Sequence, residues 1–79
     1  MTVYKTRGTC SRQISFEVDD QNKVRNVQFY GGCHGNTQGV SALVEGMDKD
    51  EVIARLEGIK CGRKPTSCPD QLAQALKQS

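Results

Sequence analysis

The hydrophobic period of this chain changes once, near residue 30, and that change restricts the folds open to it more than any other feature. Before it the pattern is that of strands. Residues 2–9 are rich in β-branched and aromatic side chains (Val3, Tyr4, Thr6), and Ile14, Phe16 and Val18 alternate with Gln13, Ser15 and Glu17. Val24 to Tyr30 alternates again, with Val27 and Phe29 on one face, and Asp19-Asp20-Gln21-Asn22-Lys23 supplies turn chemistry between the two runs. These segments predict an antiparallel meander. Its apolar face needs a cover, because a small sheet with one apolar side is marginal in water.

The cover is expected from the second half, where the period becomes helical. Val40, Leu43, Val44 and Met47 fall at i, i+3, i+4 and i+7, predicting a helix over about 36–46 that Gly39 weakens. Asp48 followed by Glu51 is a capping-box pattern; Val52, Ile53 and Leu56 form the inward stripe behind it and Gly58 the stop. A third helix is expected from Pro69, with Leu72, Ala73 and Leu76 inward. Strands first and helices after them predict an α+β fold, a three-stranded antiparallel sheet covered on one face by about three helices, as a single domain over 1–79.

A core built this way is small. Hydrophobic residues make up 35% of 79, four of them are cysteines, and there is no Trp. Such a chain gains from a staple. Charge adds little: eleven basic and nine acidic residues are interspersed, so no basic stripe suggests a nucleic-acid footprint. Residues 1–9 hold no apolar run of the kind a secretory leader needs, and no stretch approaches a membrane span, so a cytoplasmic protein with no membrane partner is expected. In that reducing compartment, cysteines at turns point to metal or redox chemistry rather than disulfides.

The four thiols are Cys10, Cys33, Cys61 and Cys68, and all four fall outside the expected strand and helix stripes. Glycines beside three of them permit close backbone approach to a common centre. Cys33 and Cys68 directly precede expected helices, where unpaired N–H groups and the helix dipole stabilise a thiolate, the form that binds metal and attacks disulfides. Four thiolates complete a tetrahedral shell, which leaves His34 as a loop residue. Among the acids, Asp19-Asp20 reads as a hairpin turn, Glu51 as a cap, and Asp70 as a first-turn helix charge with a second reading as a partner or alternative ligand beside Cys68. Gly35-Asn36 offers at most a small anion-binding nest, with no longer phosphate motif around it.

Thr66-Ser67-Cys68-Pro69-Asp70 spells TSCPD, and with Tyr4-Lys5-Thr6-Arg7-Gly8-Thr9-Cys10, Gly31-Gly32-Cys33-His34-Gly35-Asn36 and Gly58-Ile59-Lys60-Cys61 the chain resembles the TSCPD domain family over nearly its whole length. It is similar to the stand-alone, four-cysteine branch. Related domains end adenosylcobalamin-dependent ribonucleotide reductases, so the resemblance implies a link to ribonucleotide reductase and deoxyribonucleotide synthesis, through a module and not the radical active site. A more distant resemblance is to NifU-like iron–sulfur scaffolds, and it implies a NifU/SufE-like two-layer sandwich. Cys10, Cys33 and Cys68 fall at the three scaffold cysteines. Ser11-Arg12 replace the scaffold's aspartate, Ser67 its histidine, and Cys61 adds a fourth thiolate, departures that favour keeping a metal over transferring it.

The leading expectation is a metal-binding accessory module in which Cys10, Cys33, Cys61 and Cys68 hold Zn²⁺, with an iron–sulfur cluster as the alternative, and which is not catalytic alone. The competing expectations are a thiol redox protein supporting ribonucleoside-diphosphate reductase, and an iron–sulfur scaffold. The partner expected is ribonucleotide reductase or another protein; nucleic acid ranks last for want of a basic face.

Overall fold

A computed structural model of the chain describes residues 2–6, 11–31, 34–60, 62 and 66–78. Strands β1 (Thr2–Lys5), β2 (Ser11–Val18) and β3 (Val24–Gly31) form an antiparallel sheet in the order β1-β2-β3, followed by helices α1 (His34–Val44), α2 (Lys49–Leu56) and α3 (Cys68–Lys77). The expected α+β class, with its open three-stranded sheet and three helices, is the architecture found.

Alternation on β2 sends Ile14 and Phe16 inward, where both are fully buried, with Val18 half-buried beside them. Val27 is on the same side, as the β3 pattern predicts. Val24 is also fully buried, although strict alternation would place it on the opposite face from Val27. A β-bulge resolves the parity. The register passes from Ser15↔Gln28 to Glu17↔Arg25, leaving one extra residue on β3, and Asn26 takes φ 55° there. Its freed N–H donates to the Glu45 carboxylate at 2.9 Å, and its side-chain amide to Glu17.

The β2–β3 turn is held by Asp19. Its Oδ1 accepts the N–H groups of Gln21 (3.0 Å) and Lys23 (2.9 Å), and its Oδ2 accepts Arg25 Nε (3.2 Å). The Lys23 N–H is the main influence holding the Asp19 carboxyl below its ordinary range; burial opposes it, and the Arg25 and Gln21 bonds tip the balance downward. The turn reading of Asp19-Asp20 therefore holds.

Helix α1 starts and ends two residues earlier than its pattern suggests, and His34, expected in a loop, is its first residue. Its inward face also differs. Thr37 and Val44 are buried and Val40 packs on the core, while Leu43 is 77% exposed. At 3.6 residues per turn Leu43 lies about 100° round from Val44, off the line joining residues 37 and 44. Gly46, at φ 80°, ends the turn after α1 and donates to Val24 O at 2.7 Å, fastening the helix exit to β3.

In α2, Asp48 is the N-cap, accepting the Asp50 N–H at 2.9 Å, but the capping box is not completed: Glu51 instead pairs with Arg55 at 2.7 Å. Val52 is buried, and Ile53 and Leu56 pack on the core from the same helix. Leu72, Ala75 and Leu76 of α3 close the core against Ile14, Phe16 and Val24.

Candidate functional site

The start of α3 carries a dense set of polar bonds, and the reason lies in the run Thr66–Asp70. Ser67 has extended backbone (φ −147°, ψ 171°) and caps the helix, its hydroxyl oxygen accepting the Asp70 N–H at 3.1 Å. Pro69 sits in the first turn, where its missing N–H has no cost. The same Ser67 hydroxyl donates to Ile59 O at 2.7 Å, so the cap also ties down the segment that leaves α2.

Asp70 makes a second tie. It is 7% exposed, and its Oδ1 accepts the Gly58 N–H at 2.8 Å and Gln74 Nε2 at 3.3 Å, while Oδ2 accepts the Thr66 hydroxyl. Thr66 Oγ1 in turn accepts Gln71 Nε2 at 3.0 Å. Gly58 holds φ 87°, a left-handed conformation that aims its N–H at the carboxylate without a side-chain penalty. Burial pushes the Asp70 carboxyl up; hydrogen bonds from Thr66, Gly58 and Gln74, with the charge of Lys77, outweigh it and hold the group below its ordinary value. No buried side-chain nitrogen or oxygen among the described residues lacks a partner.

Cys68 is the one candidate ligand within the described residues; Cys10, Cys33 and Cys61 lie outside them. Its placement corrects two expectations. It is the first residue of α3, not the loop residue before it, and at 8% exposure it is buried, four residues ahead of Leu72 on the inward stripe. Asp70 lies in the first turn of α3, as expected, and both of its oxygens also serve the tie to residues 58 and 66.

The described neighbours of the other cysteines are brought together in two places. Ser11, which follows Cys10, pairs across the sheet with Gly31, two residues before Cys33. Ile59, two residues before Cys61, is bonded to Ser67, the residue before Cys68. Among the described residues alone, no group of three or more His, Cys, Asp or Glu side chains is arranged to hold a metal ion. No helix among them is long and apolar enough to cross a membrane.

The pattern along the chain marks Gly58 only as the stop of α2 and assigns no role to Thr66 or Ser67. One signal for Ser67 was available: a serine three residues before an acid, just ahead of a helix, marks an N-cap. Nothing local announces the Gly58 to Asp70 bond.

The sequence model of the TSCPD domain matches residues 2–79, essentially the whole chain. No curated protein and no solved structure matches it.

Proposed function

The chain belongs to the TSCPD domain family, and from that membership and the construction of the α3 start we propose that it is a small metal-binding accessory module, with Cys10, Cys33, Cys61 and Cys68 as the ligands of one Zn²⁺. The TSCPD domain is a small domain associated with ribonucleotide reductases. The partner we propose is accordingly a ribonucleotide reductase, with this chain contributing an interaction surface and no radical chemistry.

The observation that carries the metal reading is the double tie of residues 58 and 59 to Asp70 and Ser67. Ile59, two residues before Cys61 in sequence, is bonded to Ser67, the residue before Cys68, and this supports the proposal that the two thiols share one site. The Ser11↔Gly31 pair supports the same reading for the segments bearing Cys10 and Cys33. An all-thiol donor set suits Zn²⁺ or an iron–sulfur cluster and excludes the hard cations, which take oxygen ligands. Bound Zn²⁺ would supply a redox-inert cross-link between four segments of the chain. Structural Zn²⁺ contributes about 10 to 16 kcal/mol in small domains, comparable with or above the whole net stability of about 5 to 15 kcal/mol expected of a folded domain.

The iron–sulfur cluster is the alternative occupant of the same thiols. The thiol redox reading is weaker, because exchange requires in-line access to sulfur and Cys68 is buried at the helix start. The deciding experiment is elemental analysis of anaerobically purified, untagged protein together with its visible spectrum. Stoichiometric zinc without visible absorbance is the expected result; iron with cluster absorbance selects the alternative; a metal-free protein whose melt ignores chelators rejects both. Calorimetric titration into a ribonucleotide reductase tests the partner.

A further inference from the structure

Helix α1 turns an uncharged face to water. It contains no Asp, Glu, Lys or Arg, and Gln38, Gly39, Ala42 and Leu43 are exposed on it. A single exposed leucine is ordinary on a protein surface. Leu43 is not isolated, because it forms the lip of a groove of about 340 Å³ between α1 and α2 that is otherwise lined by Val44, Met47, Val52, Leu56 and Arg55. Val44 and Val52 are buried in the core, while Met47 and Leu56 are half-buried and keep part of their apolar surface open. Helix face and groove together make an uncharged patch that continues past the groove itself, the mark of a macromolecular contact rather than of a site enclosing a small ligand.

Arg55 supplies the one charge in the lining. Its Nε donates to Glu51 at 2.7 Å, and its Nη groups have no partner among the described residues. A guanidinium with its Nη donors unused at the edge of an apolar groove favours an occupant that carries a carboxylate beside an apolar side chain. The net charge of +2 acts in the same direction over a longer range. Apart from Met47, the lining residues belong to α1 and α2, and helical backbone is bonded within itself. The groove therefore offers an incoming chain side chains and no strand edge. Its occupant must satisfy its own backbone, as a helix does.

We propose that the groove between α1 and α2 docks an acidic amphipathic helix of a partner protein. A bulky apolar residue of that helix seats against Leu43, Met47 and Leu56, and an Asp or Glu within one turn of it pairs with the Nη groups of Arg55. None of these residues is a proposed metal ligand, so the docking stands whether or not the four thiols hold Zn²⁺.

The test is selection on the full chain from a phage-displayed library of helical peptides randomised along one face, followed by fluorescence anisotropy with the enriched peptides. These should share a Leu, Ile, Met or Phe with an Asp or Glu three or four residues away, and should bind with Kd below about 100 µM. Leu43→Gln should weaken binding about tenfold, and Arg55→Gln at least about threefold with loss of the preference for a carboxylate. Both positions are exposed, so the melts of the two variants should match the wild type. No enrichment over background, enriched peptides that are neutral or basic, or binding indifferent to either substitution overturns the proposal. Concentration-dependent dimerisation that Leu43→Gln abolishes overturns it too, by giving the groove to a second copy.

Discussion

The Gly58 N–H donates to the Asp70 carboxylate at 2.8 Å across twelve residues of sequence, joining the exit of α2 to the first turn of α3. Through this bond a carboxylate inside the motif holds a backbone segment that the motif does not include. Removing it leaves Gly58 N–H and the Thr66 hydroxyl without their acceptor. Asp70→Ala should therefore destabilise by about 3 kcal/mol in urea unfolding, and Asp70→Asn by roughly half as much, because an amide oxygen can still accept from Gly58. Equal losses for the two would show that charge rather than acceptor geometry carries the tie.

Acid sensitivity should follow from the same group. The Asp70 carboxyl lies below its ordinary value in the folded protein, and Asp19 does so too. A depressed carboxyl contributes stability that is present above the unfolded value, near 3.9, and is lost as pH falls through the lower folded value. Urea midpoints should accordingly show no contribution from these two groups to any slope above about pH 5, and should fall below about pH 4. In Asp70→Asn the acid limb should be shallower; an unchanged limb would remove Asp70 from the explanation.

Metal removal separates the proposed ligands from ordinary buried thiols. Each of Cys10→Ser, Cys33→Ser, Cys61→Ser and Cys68→Ser should lower bound metal, and each variant should resemble the chelated wild type in its melt. Without metal participation the expected result is different: Cys68→Ser alone would be costly, at about 1 to 3 kcal/mol for placing a hydroxyl in a buried position, and the metal content of all four would match the wild type.

The two leucines 43 and 72 should diverge sharply under truncation. Leu72 is fully buried in the cluster with Ile14 and Phe16, so Leu72→Ala should cost about 2 to 5 kcal/mol through lost burial and the cavity left behind. Leu43 stands 77% exposed, and Leu43→Ala should stay within about 0.5 kcal/mol of wild type. Thermal or urea unfolding of the pair checks the orientation of α1 directly.

A similar contrast holds at the start of α2. Asp48 caps the helix and Glu51 does not return to it, so Asp48→Ala should cost about 1 kcal/mol. Glu51→Ala removes one exposed pair with Arg55 and should cost no more than about 0.5 kcal/mol.

What the amino-acid order determined by itself is the kind and succession of elements. Alternation in Ile14, Phe16 and Val18, turn chemistry at Asp19, the cap at Asp48 and the proline at 69 act over a few residues, so their consequences can be read along the chain. Tertiary structure decided which faces were used and what the motif does. A single extra residue at Asn26 reverses the parity of β3 and brings Val24 into the core, and the position of α1 over the sheet leaves Leu43 in water. The thiol of Cys68 is buried because α3 docks with its first turn inward, and Asp70 finds its partner in a glycine N–H twelve residues away. Each of these depends on where a distant segment lies, and local periodicity carries no record of that distance.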